Sequence, residues 1–385
     1  MKVMLKCCFL LPRSRVACYI KMSTAPEPIR RKFVPVQQSE TISINRPAGF
    51  KFRLVSYNIL AQAYVKSAFF PHSPAPCLKW KARSQALLNI LKGLEADFLC
   101  LQEVDEYDTF YKKNMEILGY ASCYIQRSGN KRDGCGIFYR QNSAELVVEE
   151  RIEYNDLVDS VGDEKTPSLD KVDKSLAGDI EDESKTSVEL KDPQADRGDP
   201  NDPRVRLKRD CVGIMAAFRL NSPSSNHIII ANTHLYWDPE WADVKIAQAK
   251  YLLSRLAKFK KLVSNKFHCT PPIIVAGDFN SIPGDQVYQY LITGTTFLGQ
   301  GMADDKLPVP LSSVYGFIGG EPEFTNCTPG FTGTLDYILF TPVGDVKPCS
   351  YLELPAVDSP DVDGGLPNYY HPSDHLPIGA EFEVF

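Results

Sequence analysis

The chain has 385 residues, of which 43% are hydrophobic and 24% are charged, and its formal net charge is −5. This ordinary globular composition excludes collagen-like, coiled-coil and wholly disordered chains, and no apolar run is long enough to span a membrane. The 11 cysteines are scattered and form no C-x-x-C pair. They argue against a disulfide framework and a structural zinc site and favour an intracellular protein, cytoplasmic or nuclear.

Two segments with unbalanced charge are predicted to lie outside the folded core. Residues 1–50 hold nine basic and two acidic residues, which predicts a disordered basic leader, with organelle import as the alternative. Residues 159–203 hold fourteen acidic and six basic residues and no aromatic residue, so they bury too little apolar area to fold. Motifs lie on both sides of this second segment. We therefore interpret it as a disordered insertion within a single domain, residues 51–385.

Hydrophobic periodicity predicts strands alternating with helices. Strands are predicted at residues 52–58, 98–101, 212–220, 228–231, 273–276, 335–340 and 378–384. One helix carries Leu87, Ile90, Leu91 and Leu94 on a single face, and a second helix covers residues 241–260. Buried and half-buried strands that alternate with helices predict a layered α/β sandwich.

Polar side chains stand at the ends of these predicted strands. They comprise four acids, three amides and two imidazoles, which are Glu103, Asp278, Asp336, Asp374, Asn58, Asn232, Asn280, His234 and His375. One polar residue at a strand end is most often a turn former or a helix cap. Six such clusters predict a shared pocket, because half-buried acids are costly unless they are paired or bind a metal. Oxygen ligands without cysteine favour Mg²⁺ or Mn²⁺, so the residues predict metal-assisted phosphoester hydrolysis.

The order of the motifs resembles the endonuclease/exonuclease/phosphatase superfamily. The motifs are Ser-Tyr-Asn-Ile-Leu at 56–60, Leu-Gln-Glu-Val at 101–104, Asn-Thr-His-Leu at 232–235, Gly-Asp-Phe-Asn at 277–280, Leu-Asp-Tyr-Ile at 335–338 and Ser-Asp-His-Leu-Pro at 373–377. The stretches at 131–136, 234–239 and 324–326 are similar to the carbon catabolite repressor type deadenylases. The resemblance implies a two-sheet β sandwich flanked by helices and two Mg²⁺ ions, for which Mn²⁺ can substitute.

The resemblance also implies a role for each site residue. Glu103, Asn58 and Asp374 would bind metal, while Asp278 would orient or deprotonate the attacking water. Asn280 would position that water, and His234 and His375 would stabilise charge on the phosphate, with Asp336 orienting His375. Five residues would contact substrate: Phe331, Pro239, Asn232, Lys131 and Asn326. Phe331 and Pro239 would flank the terminal adenine, unless Phe331 packs locally in its Gly-, Pro- and Thr-rich loop.

These roles imply a Mg²⁺-dependent 3′-to-5′ exoribonuclease that shortens mRNA poly(A) tails and releases AMP. One alternative is a phosphatase or phosphodiesterase of the same branch that acts on nucleotide 2′-phosphates, cyclic phosphates or 2′,5′-oligoadenylate. A remote alternative is an inactive RNA-binding scaffold. No leucine-rich repeat precedes the nuclease region, so we expect a monomer that docks stably neither to the large deadenylase complex nor to a membrane.

Overall fold

Runs of β-branched and aliphatic residues form the strands, and longer amphipathic stretches form the helices. The computed structural model describes residues 29, 31–36, 49–161, 199–222, 226–294, 307–342 and 346–385. The strands are β1 (Phe33–Pro35), β2 (Phe50–Asn58), β3 (Phe98–Gln102), β4 (Tyr120–Gln126), β5 (Gly134–Arg140), β6 (Ala144–Glu153), β7 (Val212–Leu220), β8 (His227–His234), β9 (Ile273–Asp278), β10 (Ser312–Ser313), β11 (Asn326–Thr328), β12 (Phe331–Gly333), β13 (Asp336–Phe340), β14 (Val346–Leu352) and β15 (Ile378–Val384). The helices are α1 (Trp80–Gly93), α2 (Lys112–Ile117), α3 (Leu157–Val161), α4 (Pro203–Arg206), α5 (Ala242–Phe267), α6 (Gln286–Thr293) and α7 (Val314–Ile318).

Two large mixed sheets carry the fold. The seven-stranded sheet has the order β1-β14-β15-β2-β3-β5-β4, and the six-stranded sheet has the order β10-β13-β9-β8-β7-β6. Strands β11 and β12 form a small separate hairpin. The predicted two-sheet sandwich flanked by helices is confirmed.

The core has three layers of apolar side chains. Between the sheets, Phe98 contacts Phe52 and Phe218 edge to face, with ring centroids 5.5 and 5.1 Å apart. The buried face of α5 covers the outside of the six-stranded sheet, and α1 covers the outside of the seven-stranded sheet. Strands buried on both faces read as continuous apolar runs, which explains the Ile-rich sequences of β8 and β9.

Parallel pairing brings the polar strand ends together. Strand β2 is parallel to β3, with Asn58 opposite Gln102, and β8 is parallel to β9, with His234 opposite Asp278. Strand β13 runs antiparallel to β9 and begins with Asp336 opposite Asp278. The carboxyl ends of four strands and the start of a fifth therefore share one edge of the sandwich.

The N-terminal part of the described chain differs from the prediction. Residues 33–35 form edge strand β1 on β14, so the prediction of a disordered leader over residues 1–50 is wrong for this segment. The Phe33 ring lies under the Arg53 guanidinium, 4.1 Å from the ring centroid, and Arg31 pairs with Asp361 at 2.6 Å. These contacts supply the stabilisation that a basic composition alone does not reveal.

Most of the predicted acidic insertion lies outside the described residues, so its disorder stays a prediction. Its described residues are 159–161, which end α3, and 199–203, which form a turn and begin α4. None of the helices in the described ranges combines the length and apolarity that a membrane span needs. The cysteines in those ranges are free thiols.

A buried amide, Asn232, joins the two sheets. From β8, its Nδ2 donates to the carbonyls of Leu101 and Gly136 at 2.9 Å each, and its Oδ1 accepts from Gln102 Nε2 at 2.7 Å. Asn232 is fully buried, and both ends of its amide are occupied. The prediction that Asn232 contacts substrate is therefore corrected, because its side chain cross-links strands instead.

We expect Asn232→Ala to lower the free energy of unfolding by about 3 kcal/mol, because it leaves buried donors and acceptors without partners. Chemical denaturation measures this change. The matched control is Asn221→Ala, which removes an exposed amide that donates to Gln141 O at 3.2 Å and should cost less than about 0.5 kcal/mol. Equal losses in the two variants would contradict the structural role.

Candidate active site

Glu103 stands just beyond β3, in a left-handed backbone conformation with φ of 58°. This backbone conformation turns the chain out of the strand direction at Glu103. It costs free energy for a residue with a Cβ. Its carboxylate accepts from Ala61 N at 2.9 Å and from Asn58 Nδ2 at 3.1 Å. Burial, with the negative charges of Asp374 and Asp133, raises the pKa of Glu103 to about 8.

Asn58 connects two carboxylates. Its Nδ2 donates to Glu103 and also to Asp278 Oδ2 at 3.0 Å, so it crosses from one sheet to the other. Its Oδ1 accepts from Leu60 N at 3.0 Å. In this structure the amide nitrogen of Asn58 faces the acids and its oxygen accepts one hydrogen bond, so metal ligation by Asn58 stays a prediction.

Asp278 is the centre of the cluster. Its Oδ2 lies 3.5 Å from His234 Nε2 and 3.7 Å from His375 Nε2, and its Oδ1 accepts from Asn280 N at 2.9 Å. Burial and the negative charge of Asp336 raise the pKa of Asp278, although both histidines oppose this shift. A carboxyl group with a raised pKa suits proton abstraction near neutral pH.

The loop that follows Asp278 is held from helix α5. Asn280 has a left-handed φ of 48°, and its Nδ2 donates to Leu235 O at 3.0 Å. Its carbonyl accepts from Lys245 Nζ at 2.7 Å. Burial lowers the pKa of Lys245. The hydrogen bond from Lys245 therefore anchors the Asn280 loop to α5.

His375 and Asp336 form a hydrogen-bonded pair at 2.7 Å, through Nδ1 and Oδ2. Burial opposes a charged ring, yet the charges of Asp336 and Asp278 raise the pKa of His375 well above its ordinary value. His234 differs, since burial lowers its pKa despite the nearby Asp278. The two imidazoles therefore face the same carboxylate with opposite charge preferences.

The donor chemistry fits a hard divalent cation. Glu103 and Asp374 offer carboxylate oxygens in one pocket, and burial, followed by the negative charge of Asp374, raises the pKa of Glu103. The ligand atoms of Asp278, Asp336 and His375 lie within 4.8 Å of one another. Because Asp336 and His375 are hydrogen-bonded to each other, Glu103 and Asp374 are the residues whose oxygens remain free to hold a cation.

A cavity of about 420 Å³ opens over these side chains. It is lined by the predicted residues Glu103, Asp278, Asn280, His234, Asp374, His375, Lys131 and Asn326. Phe331 and Pro239 are outside this lining. The Phe331 ring lies over its own hairpin, where a Cβ on Gly333 would stand 2.9 Å from Phe331 Cζ. Phe331 is nevertheless 40% exposed, so its contact with a base stays a prediction beside the alternative of local packing.

Several residues of the site were missed in the sequence. Arg83 is fully buried on α1 and donates to the carbonyls of Ile59, Leu60 and Pro372. Tyr64 donates to Asp133 at 2.5 Å, and Asp133 also pairs with Arg127. Asp133 lay in the 131–136 motif and was detectable there. Arg83 lies four residues before Leu87, on the same helix face as the apolar residues, and this spacing was the signal that could have revealed its burial.

Comparisons with known proteins identify the family of the chain. The Endonuclease/Exonuclease/phosphatase family matches residues 55–375. The chain is 56% identical to carbon catabolite repressor protein 4 homolog 4 of Arabidopsis thaliana, over 97% of this chain and 96% of that protein. It is 29% identical to the CCR4-Not complex 3′-5′-exoribonuclease subunit Ccr4 of Schizosaccharomyces pombe, over 88% of this chain and 51% of that longer protein.

One solved structure extends the likeness. The crystal structure of ANGEL2, a 2′,3′-cyclic phosphatase in complex with adenosine-2′,3′-vanadate, has 26% identity and a TM-score of 0.67, over 92% of this chain and 99% of that chain. Enzymes of the matching family generally depend on a divalent metal ion. The chain belongs to the endonuclease/exonuclease/phosphatase family and, within it, to the branch of carbon catabolite repressor 4 homologues.

Proposed function

We propose that this chain is a Mg²⁺-dependent 3′-to-5′ exoribonuclease that shortens poly(A) tails and releases AMP. The observation that carries the proposal is the convergence of Asp278, His234 and His375 within 3.7 Å in a cavity that also exposes Glu103 and Asp374. The likeness to the fission yeast exoribonuclease subunit and to the Arabidopsis homologue supports RNA as the substrate.

Asp278 acts as the base in this proposal. A water held near Asp278 and Asn280 attacks the phosphorus of the terminal phosphodiester and gives a proton to Asp278. The bond between phosphorus and the 3′ oxygen of the preceding nucleotide breaks, and that oxygen leaves with the electron pair and takes a proton from solvent. The products are AMP and an RNA that is one nucleotide shorter and ends in a 3′ hydroxyl.

The two histidines act on the phosphate. Charged His375, which Asp336 orients, donates a hydrogen bond from Nε2 to a phosphate oxygen. Neutral His234, at the end of β8, donates a second hydrogen bond to the phosphate. Lys131 lines the same cavity and adds positive charge. Glu103 and Asp374 would hold Mg²⁺, which when bound neutralises developing charge and lowers the pKa of water.

A second candidate is a phosphatase that acts on cyclic or 2′-phosphates of nucleotides. The likeness to ANGEL2, which covers 92% of this chain, favours it. Both candidates use the same acids and imidazoles, so they differ in what lies around the scissile phosphate. The monomeric state and the absence of stable docking to the large deadenylase complex stay predictions.

An assay on RNA separates these candidates. With Mg²⁺, the chain should shorten a 5′-labelled RNA ending in twenty adenosines and slow on a tail of mixed sequence, as followed on a denaturing gel. Asp278→Ala should lower the rate by about 10²–10⁴-fold, because the base is lost. Intact RNA together with phosphate release from 2′-phosphorylated or cyclic-phosphate ends would favour the phosphatase instead.

A kinetic prediction concerns Asp336, the carboxylate that orients His375. Asp336→Asn should lower kcat by about 10²-fold while KM changes little, since the ring of His375 loses both its orientation and its stabilised charge. Steady-state kinetics on the same RNA measure both constants. Asp358→Asn, an exposed acid outside the cavity, is the control and should leave both constants unchanged. A rise in KM at constant kcat would contradict this role.

A prediction for Glu103 is tested through stability rather than activity. The folded state disfavours charged Glu103, so its contribution to stability falls as pH rises from about 4.5 towards about 8. In EDTA at pH 8, Glu103→Gln should therefore melt at or above the wild-type temperature. Added Mg²⁺ should raise the melting temperature of the wild type and leave that of Glu103→Gln unchanged.

The exposed residue Glu116 on α2 provides the matched control. Glu116→Gln should keep the full Mg²⁺-dependent rise in melting temperature. A Glu103→Gln protein that is stabilised by Mg²⁺ as strongly as the wild type would show that the cation binds elsewhere.

A further inference from the structure

The cavity has a charged floor and an apolar rim. The catalytic acids and histidines form the floor, whereas Leu60, Phe69, Phe70, Tyr236 and Trp237 line the cavity around them. A volume of about 420 Å³ exceeds what a bare phosphate group fills. A ligand that fills the cavity is therefore larger than a phosphate, and the rim residues suit an apolar part of it.

Two rim residues leave large aromatic rings in water. Phe69 is 51% exposed and Trp237 is 60% exposed, whereas the neighbouring Phe70 is only 8% exposed and packs with Leu60 and Leu78. Exposed aromatic rings beside a polar site are a feature of binding surfaces rather than of cores. The two rings are thus available to a ligand in the cavity.

The two rings come from different sheets. Phe69 belongs to the segment that follows β2 of the seven-stranded sheet, and Trp237 follows β8 of the six-stranded sheet. Glu103 and Asp278 stand at the ends of the neighbouring strands β3 and β9, in the same cavity. Cations accompany the rim: Lys66 Nζ lies 5.3 Å from the Phe69 ring centroid, and Lys131 also lines the cavity. Flat apolar faces alternating with cations fit a single-stranded nucleic acid.

We propose that Phe69 and Trp237 each stack on one of the two nucleobases that flank the scissile phosphate, so that the substrate is a single-stranded RNA of at least two nucleotides. This inference rests on the proposed function, because it uses the same cavity. It gives base contact to Phe69, which lies outside the sequence motifs, and to Trp237, which lies in the 234–239 motif but had no role assigned to it. It also disfavours small phosphate esters with a single base, since they would leave one ring exposed.

The test measures binding, which does not require turnover. In an Asp278→Ala background with Mg²⁺, fluorescence anisotropy follows 5′-labelled hexa-adenylate and two versions of it without the terminal or the penultimate base. Phe69→Leu and Trp237→Leu should each raise Kd for hexa-adenylate about tenfold. Each loss should vanish on one of the two abasic RNAs, and the two variants should respond to different ones.

Phe317 provides the matched control, because it is 59% exposed on α7 outside the cavity and contacts Phe340. Phe317→Leu should bind all three RNAs with unchanged Kd, and melting temperatures verify that every variant is folded. Equal losses on intact and abasic RNAs, or Kd values within about twofold of the parent, would overturn the stacking. A wild-type chain that shortens no RNA contradicts the proposed function separately, because anisotropy still reports on the rings.

Discussion

The site depends on buried hydrogen bonds that join the two sheets where their strands end. Asn58 reaches from β2 to Asp278 on β9, and Asn232 reaches from β8 to the carbonyls of β3 and β5. A buried polar group without a partner costs about 1–3 kcal/mol, so each of these bonds fixes the relative position of the sheets. The acids and imidazoles inherit this precision because they lie next to these amides.

A second constraint acts on the loops rather than on the strands. The guanidinium of Arg83 donates to the carbonyls of Ile59, Leu60 and Pro372 and to Gln62 Oε1, all at 2.6–2.9 Å. These contacts join the loop that follows Asn58 to the loop that carries Asp374. A planar group with several fixed donors can satisfy this many acceptors at once, which a lysine cannot do. The loops beside the acids are therefore positioned by an arginine that does not line the cavity.

Much of this arrangement was predictable from the sequence, and the rest has identifiable reasons. The strands that carry Glu103, Asp278 and His234 are apolar runs with abrupt polar ends, and parallel pairing must bring such ends together. The direction of an amide was not predictable, since Asn58 beside an acid can either ligate a cation or donate a hydrogen bond. The rim was not predictable either. Loops have no periodicity, so Phe69 carried no pattern. Trp237 lay in the 234–239 motif, but the spacing of that motif favoured Pro239.

The electrostatics of the site explain why so much polar bonding surrounds it. Glu103, Asp374 and Asp278 stand close together, and burial raises the pKa of Glu103 and of Asp278. Without a cation this arrangement destabilises the folded chain, because the acids must be either desolvated or protonated. The hydrogen bonds that the Asn58 and Asn232 side chains make between the sheets, and those that the Arg83 guanidinium donates, offset that repulsion without neutralising it. The acids consequently keep the negative charge that the proposed divalent cation would neutralise.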